Sequence, residues 1–141
     1  MKKILVGVDG SELSNGAVRF AAALAKQTGA ELQLATALVP PIFYGADATA
    51  ETVELQDASA HALAKKALDE SEGQLDPHAP RPARFLLDGP AADALATLAA
   101  SNQVDLVVVG HRGRNAIARV MLGSVADRLV QISTRPVLVF R

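Results

Sequence analysis

A chain of 141 residues has the usual size of one domain and is long enough to enclose a core between two layers of helix. Half of its residues are hydrophobic, 21% are charged and the formal net charge is -1, which argues against a disordered chain and against a polybasic surface for nucleic acid or anionic lipid. Cysteine is absent, so disulfides, thiolate metal sites and cysteine nucleophiles are excluded.

In chain order, Met1, Lys2 and Lys3 run straight into a short apolar stretch, Ile4 to Val8, that reads as a first strand. It is too short for the apolar region of a secretion signal and has no small-residue cleavage site. Nowhere does the sequence hold the roughly 18 uninterrupted apolar residues of a membrane-spanning helix, so a cytoplasmic protein is expected. Val18, Ala21, Ala22 and Ala25 share one face of a predicted helix from about Glu12 to Thr28, with Ser11 placed to cap it. Leu32 to Val39 reads as a second strand. The irregular segment Pro40 to Ala50, with Pro40, Pro41, Phe43 and Tyr44, reads as a surface loop, with a pocket lid as the alternative.

The longest predicted helix spans about Glu51 to Gln74, with Leu55, Ala58, Ala62 and Leu63 on one side and Gly73 expected to end it. His61 within it is expected on the surface rather than as a ligand. Leu75 to Pro82, with Asp76 and His78, reads as a connector. Arg84 to Leu87 is a weaker third strand, punctuated by Gly89 and Pro90. Pro90 suits the first turn of a helix carrying Ala94, Leu95 and Leu98. Val104 to Val109 reads as a buried fourth strand. Val125, Leu129 and Ile132 mark a fourth helix starting near Ser124, and Val137 to Phe140 is the fifth strand.

Apolar strands alternating with helices imply a single doubly wound α/β domain over residues 1–141: a five-stranded parallel sheet, order 3-2-1-4-5, with helices on both faces. Such sheets hold ligands outside the carboxyl ends of the strands where the strand order reverses, which points to the loops after the first and fourth strands.

The fourth of these strands leads into the most informative stretch. Gly110 and Gly113 are separated by two residues, and nine more precede Gly123 and Ser124 at the start of the last helix. Glycines leave room for a phosphate to approach backbone amides, and a helix start adds unpaired N–H groups and a positive dipole end. Arg112 and Arg114 can add charge. Each feature also has a purely structural reading: Asp9 as a helix cap, Ser124 with Asp127 as a capping box, the glycines as turn residues.

With this spacing the chain resembles the universal stress protein family, whose ATP-binding members carry glycine, two residues, glycine, nine residues, then glycine and serine or threonine. The opening Ile4 to Ser11, Gly89 with Pro90, and the closing Arg135 to Val139 sit where that family has similar segments. The resemblance implies that Gly7, Val8 and Asp9 meet the adenine and ribose side, that Ala37 touches the adenine through its backbone, and that Gly110, Arg112, Gly113, Gly123, Ser124 and Val125 surround the phosphates. Two positions depart from the family pattern: Ala37 stands where valine is frequent, and His111 where a small residue or hydroxyl is common.

The expected function is therefore an ATP-dependent stress-response or signalling module, with magnesium, if any, riding on the nucleotide phosphates rather than in a protein cage. No nucleophile, base and orienting acid converge, no Walker lysine occurs, and no Gly-x-Gly-x-x-Gly follows a strand, so at most slow ATP hydrolysis is expected. A receiver domain would need a phosphoacceptor aspartate at the end of a strand, whereas Asp105 begins one. The alternative is a dimeric interaction protein that binds no nucleotide. An apolar last strand at the sheet edge implies a homodimer paired through that strand, and a downstream protein partner is expected of a signalling module.

Overall fold

A computed structural model of the chain describes residues 1–38, 49–112 and 122–141. Strands β1 (Lys3–Gly7), β2 (Glu31–Ala37), β3 (Ala83–Leu87), β4 (Leu106–Gly110) and β5 (Val137–Phe140) form one sheet in the order β3-β2-β1-β4-β5. Every neighbouring pair is parallel, as the alternation of strand and helix predicts. Helices α1 (Glu12–Thr28), α2 (Ala50–Glu72), α3 (Ala91–Ser101) and α4 (Ser124–Ile132) make the crossovers. The order reverses between β1 and β4, where the sequence places it.

Successive strand side chains point to opposite faces, so each strand serves two cores. Ile4, Val6 and Val108 pack with Val18, Ala21 and Leu68 beneath α1 and α2. Leu5, Val107 and Val109 pack with Leu95, Ala99 and Leu129 beneath α3 and α4. Covering both faces explains why the central strands are unbroken apolar runs. The edge strand β5 is half-buried along its length rather than buried.

Several boundaries and faces differ from the sequence expectation for identifiable reasons. Val104 is buried but precedes β4: its amide donates to the Ala99 carbonyl at 2.9 Å, in the turn that closes α3. Its apolar character reflects core packing at a helix end, not strand pairing. β2 stops at Ala37, and Val39 to Pro41, Phe43 and Tyr44 lie outside the described residues. The expected inner face of α2 is the largest departure, since Leu55 and Leu63 are exposed and the buried residues are Ala64, Ala67, Leu68 and Ser71. A helix of 23 residues runs about 35 Å, against about 23 Å for the seven residues of β2, so its first half overhangs the sheet. His61 sits on that overhanging half, with Nδ1 2.9 Å from the Asp57 carbonyl.

Opposite the carboxyl ends, β1 and β4 are tied together by Asp105, whose Oδ2 accepts the main-chain amides of Lys2 and Lys3. These two hydrogen bonds to the ionised form hold its carboxyl below the ordinary value of 3.8, with smaller help from the amino terminus and Arg135 against some desolvation. Because the folded value is depressed, the stability Asp105 adds is complete above the ordinary aspartate range and is lost as pH falls through the lowered folded value. Asp105→Asn is therefore expected to lower the melting temperature at pH 7, with the gap to the parent closing in acid. Thermal melts across pH 2 to 7 check this, and a gap independent of pH would refute the charge-based role.

Candidate functional site

At the carboxyl ends of the strands the sheet opens into a cleft of about 340 Å³. Its lining joins Gly7, Val8 and Asp9 at the exit of β1, Ala37 at the end of β2, and Gly110 and Arg112 at the exit of β4. Gly123, Ser124 and Val125 come from the start of α4. These are the candidate site residues apart from Gly113, which with Arg114 lies outside the described residues. Segments more than a hundred residues apart in the chain thus converge on one space.

The turn after β1 is fixed by a small network. Gly10 takes φ +76°, a left-handed conformation that favours glycine, and it lets the chain reverse from strand to helix. The Ser11 amide donates to Asp9 Oδ1 at 2.9 Å, the Asp9 amide to Ser14 Oγ at 3.2 Å, and the Ser14 amide to Ser11 Oγ at 3.1 Å. Ser11 is the helix cap, as expected, so capping does not fall to Asp9. Asp9 instead holds the turn at the mouth of the cleft.

On the other side, Gly110 sits in tight packing: a β-carbon there would lie 3.3 Å from the Leu13 carbonyl carbon and 3.3 Å from the Arg112 carbonyl oxygen, so the backbone around it would have to give by a few tenths of an ångström. The first turn of α1 and the exit of β4 consequently touch. His111 then links two elements through its backbone, donating to the Phe140 carbonyl and accepting from the Gly123 amide, each at 2.7 Å. Its side chain is not part of the cleft lining. Arg112 is part of it, and its Nε is buried without a hydrogen-bond partner among the described residues.

The start of α4 corrects the capping-box reading. Gly123, not Ser124, is the N-cap, and among the described residues no side chain caps the helix. Asp127 does not reach back, since its Oδ2 accepts from Gln131 Nε2 at 2.9 Å. By helix geometry the amides of Ser124, Val125 and Ala126 have no intrahelical partner, and all three residues line the cleft. Val125, expected on the buried face with Leu129, is exposed because the first turn of α4 opens onto the cleft rather than the core. The first turn of α1 through Ser14 and the first residue of α3, Ala91, border the same space. Three helix amino termini together favour an anion there.

Sequence reasoning missed Ser14, Thr36 and Leu95 in the lining. Ser14 carried a usable signal, because a polar residue in the first turn after β1 faces the same sheet edge as Asp9. Thr36 and Leu95 carried none that distinguishes them from core. Among the described residues no group of three histidines or carboxylates is placed to hold a metal, and no helix is long and apolar enough to cross a membrane.

Comparison with known proteins agrees with this geometry. A universal stress protein of Methanocaldococcus jannaschii is 30% identical over 99% of this chain and 82% of its own length. The solved structure of the universal stress protein UspA from Lactobacillus plantarum superposes with a TM-score of 0.85 at 25% identity, over 99% of this chain and 97% of that one. A universal stress protein solved in complex with cAMP gives a TM-score of 0.66 at 29% identity, over 99% of this chain and 96% of that one. The model of the universal stress protein family matches residues 1–141, and on this match and the curated relative the chain belongs to the universal stress protein family.

Proposed function

We propose that the chain is a cytoplasmic ATP-binding stress-response module, one domain over residues 1–141, that holds the nucleotide in the cleft at the β1/β4 reversal. The observation that carries this reading is the start of α4, which no side chain among the described residues caps, together with an Arg112 whose buried Nε has no partner among them, both lining one cleft. Unpaired amides and an unpaired guanidinium nitrogen are the groups a phosphate would satisfy. The similar universal stress protein in complex with cAMP supports an adenine nucleotide as the ligand.

In this arrangement Gly7, Val8 and Asp9 border the base and ribose, with Ala37 contacting the adenine through its backbone. Gly110, Arg112, Gly113, Gly123, Ser124 and Val125 border the phosphates. Magnesium, when present, is carried in by the phosphates. Mass spectrometry of small molecules released from freshly purified protein tests the reading. An adenine nucleotide released in amounts approaching one per chain supports it, and its absence, together with no uptake of added ATP, favours an interaction protein without nucleotide.

The same reading includes a homodimer paired through β5, a half-buried apolar strand that is the edge of the sheet among the described residues. Sedimentation is expected to show a dimer at about ten micromolar or above, whereas a monomer there would mean that the edge contact barely offsets the cost of association.

A further inference from the structure

We infer that Ser14, which neither the glycine spacing nor the family resemblance singles out, is a ligand-binding residue whose hydroxyl donates a hydrogen bond to a phosphate oxygen of the bound nucleotide. The inference rests on the nucleotide reading above and adds a specific contact to it.

Ser14 is only 2% exposed, yet it lines the cleft. A hydroxyl has one proton to donate and two lone pairs to accept with. The Ser14 oxygen accepts the Asp9 amide at 3.2 Å, while its proton has no acceptor among the described residues. Buried polar groups are usually satisfied, so a buried hydroxyl that accepts but does not donate, at the edge of an open cleft, is matched by an acceptor that arrives with the ligand.

Position decides which acceptor. A β-carbon at Gly110 would come within 3.3 Å of the carbonyl carbon of Leu13, the residue before Ser14, so the Ser14 turn abuts the exit of β4 while the Asp9 amide ties its hydroxyl to the exit of β1. Ser14 also lies in the first turn of α1, at the positive end of that helix. A phosphate oxygen is a charged acceptor with no proton of its own, and a hydroxyl bonded to it makes a charge-assisted contact. Ser14 therefore reads the phosphate nearest the nucleoside, between Asp9 and Arg112.

Binding of AMP and of adenosine to the parent, Ser14→Ala and Ser14→Cys separates the possibilities, with calorimetry for AMP and ligand-observed NMR at millimolar adenosine. Ser14→Ala is expected to weaken AMP about ten- to hundredfold and to leave adenosine unchanged. Ser14→Cys keeps the shape with a weaker donor and is expected to lose AMP affinity to a smaller degree, again without effect on adenosine; it carries the test alone if the alanine variant does not fold. An equal loss for both ligands would mean that Ser14 acts only by holding the Asp9 turn, and no loss for AMP would mean no contact; either result overturns the inference. A parent that binds neither AMP nor ATP overturns the nucleotide reading itself, which is a different failure.

Discussion

Gly123→Val is expected to reduce ATP affinity by at least about a hundredfold while the protein remains folded. Gly123 has φ -65° and ψ 151°, ordinary extended angles that valine adopts readily, so backbone strain does not enter. Its amide already donates to His111, which leaves the following amides of α4 to meet a ligand. A phosphate oxygen must come within about 3 Å of those amides, and two added methyl groups at the N-cap compete for that space. Gly113→Val is expected to act in the same way on the evidence of the motif spacing. Arg112→Ala removes a charge-assisted contact instead of filling space, and should cost about 1.5 to 3 kcal/mol, or roughly ten- to hundredfold. His61→Ala, on the overhanging half of α2, should bind as the parent does. Titration calorimetry on the folded variants gives the order of these effects; equal affinity for Gly123→Val and the parent would remove α4 from the site.

The second large effect concerns how α4 is held in place. Leu129 is 0% exposed and packs in the core beneath α3 and α4, whereas Val130, the next residue, is 52% exposed. Leu129→Ala is expected to destabilise the protein by about 2 to 5 kcal/mol through lost transfer energy and the cavity left behind. Val130→Ala should change stability by no more than about 0.5 kcal/mol. Urea unfolding monitored by circular dichroism reads both, through a lowered midpoint at unchanged slope for Leu129→Ala alone. Similar midpoints for the two variants would mean that the α4 face is wrongly assigned. The link to function is mechanical: Leu129 fixes the axis of the helix whose uncapped start lines the cleft.

Much of this architecture was legible in the sequence because local and global signals agree there. Ser11 and the run Val18 to Ala25 define α1 with the bounds observed, and the unbroken apolar strands imply a parallel sheet covered on both faces, with the reversal between β1 and β4. Signals were misleading where one residue type serves two purposes. Val104 is apolar for a helix end and not for a strand, and Val125 is apolar at the mouth of a cleft. Leu55 and Leu63 have helical spacing but lie beyond the end of the sheet, which periodicity cannot sense because it carries no information on where a helix starts to overhang. The Ser124 and Asp127 pair has the spacing of a capping box, yet the helix begins one residue earlier than that motif requires, with Gly123 as its N-cap. Ser14 was passed over although its place in the first turn after β1 was a signal; that this turn also meets the β4 exit is a contact made across nearly a hundred residues of chain, which local pattern does not carry.

Calorimetric titration of ATP into the unmodified protein, freed of any co-purified ligand, decides whether the cleft between the β1 and β4 exits takes the nucleotide. Saturable binding of one ATP per chain is expected, lost in Gly123→Val and weakened in Arg112→Ala. No saturable binding at millimolar ATP, with the protein shown to be folded by its circular dichroism, would contradict it and leave the family fold serving protein interaction without a nucleotide.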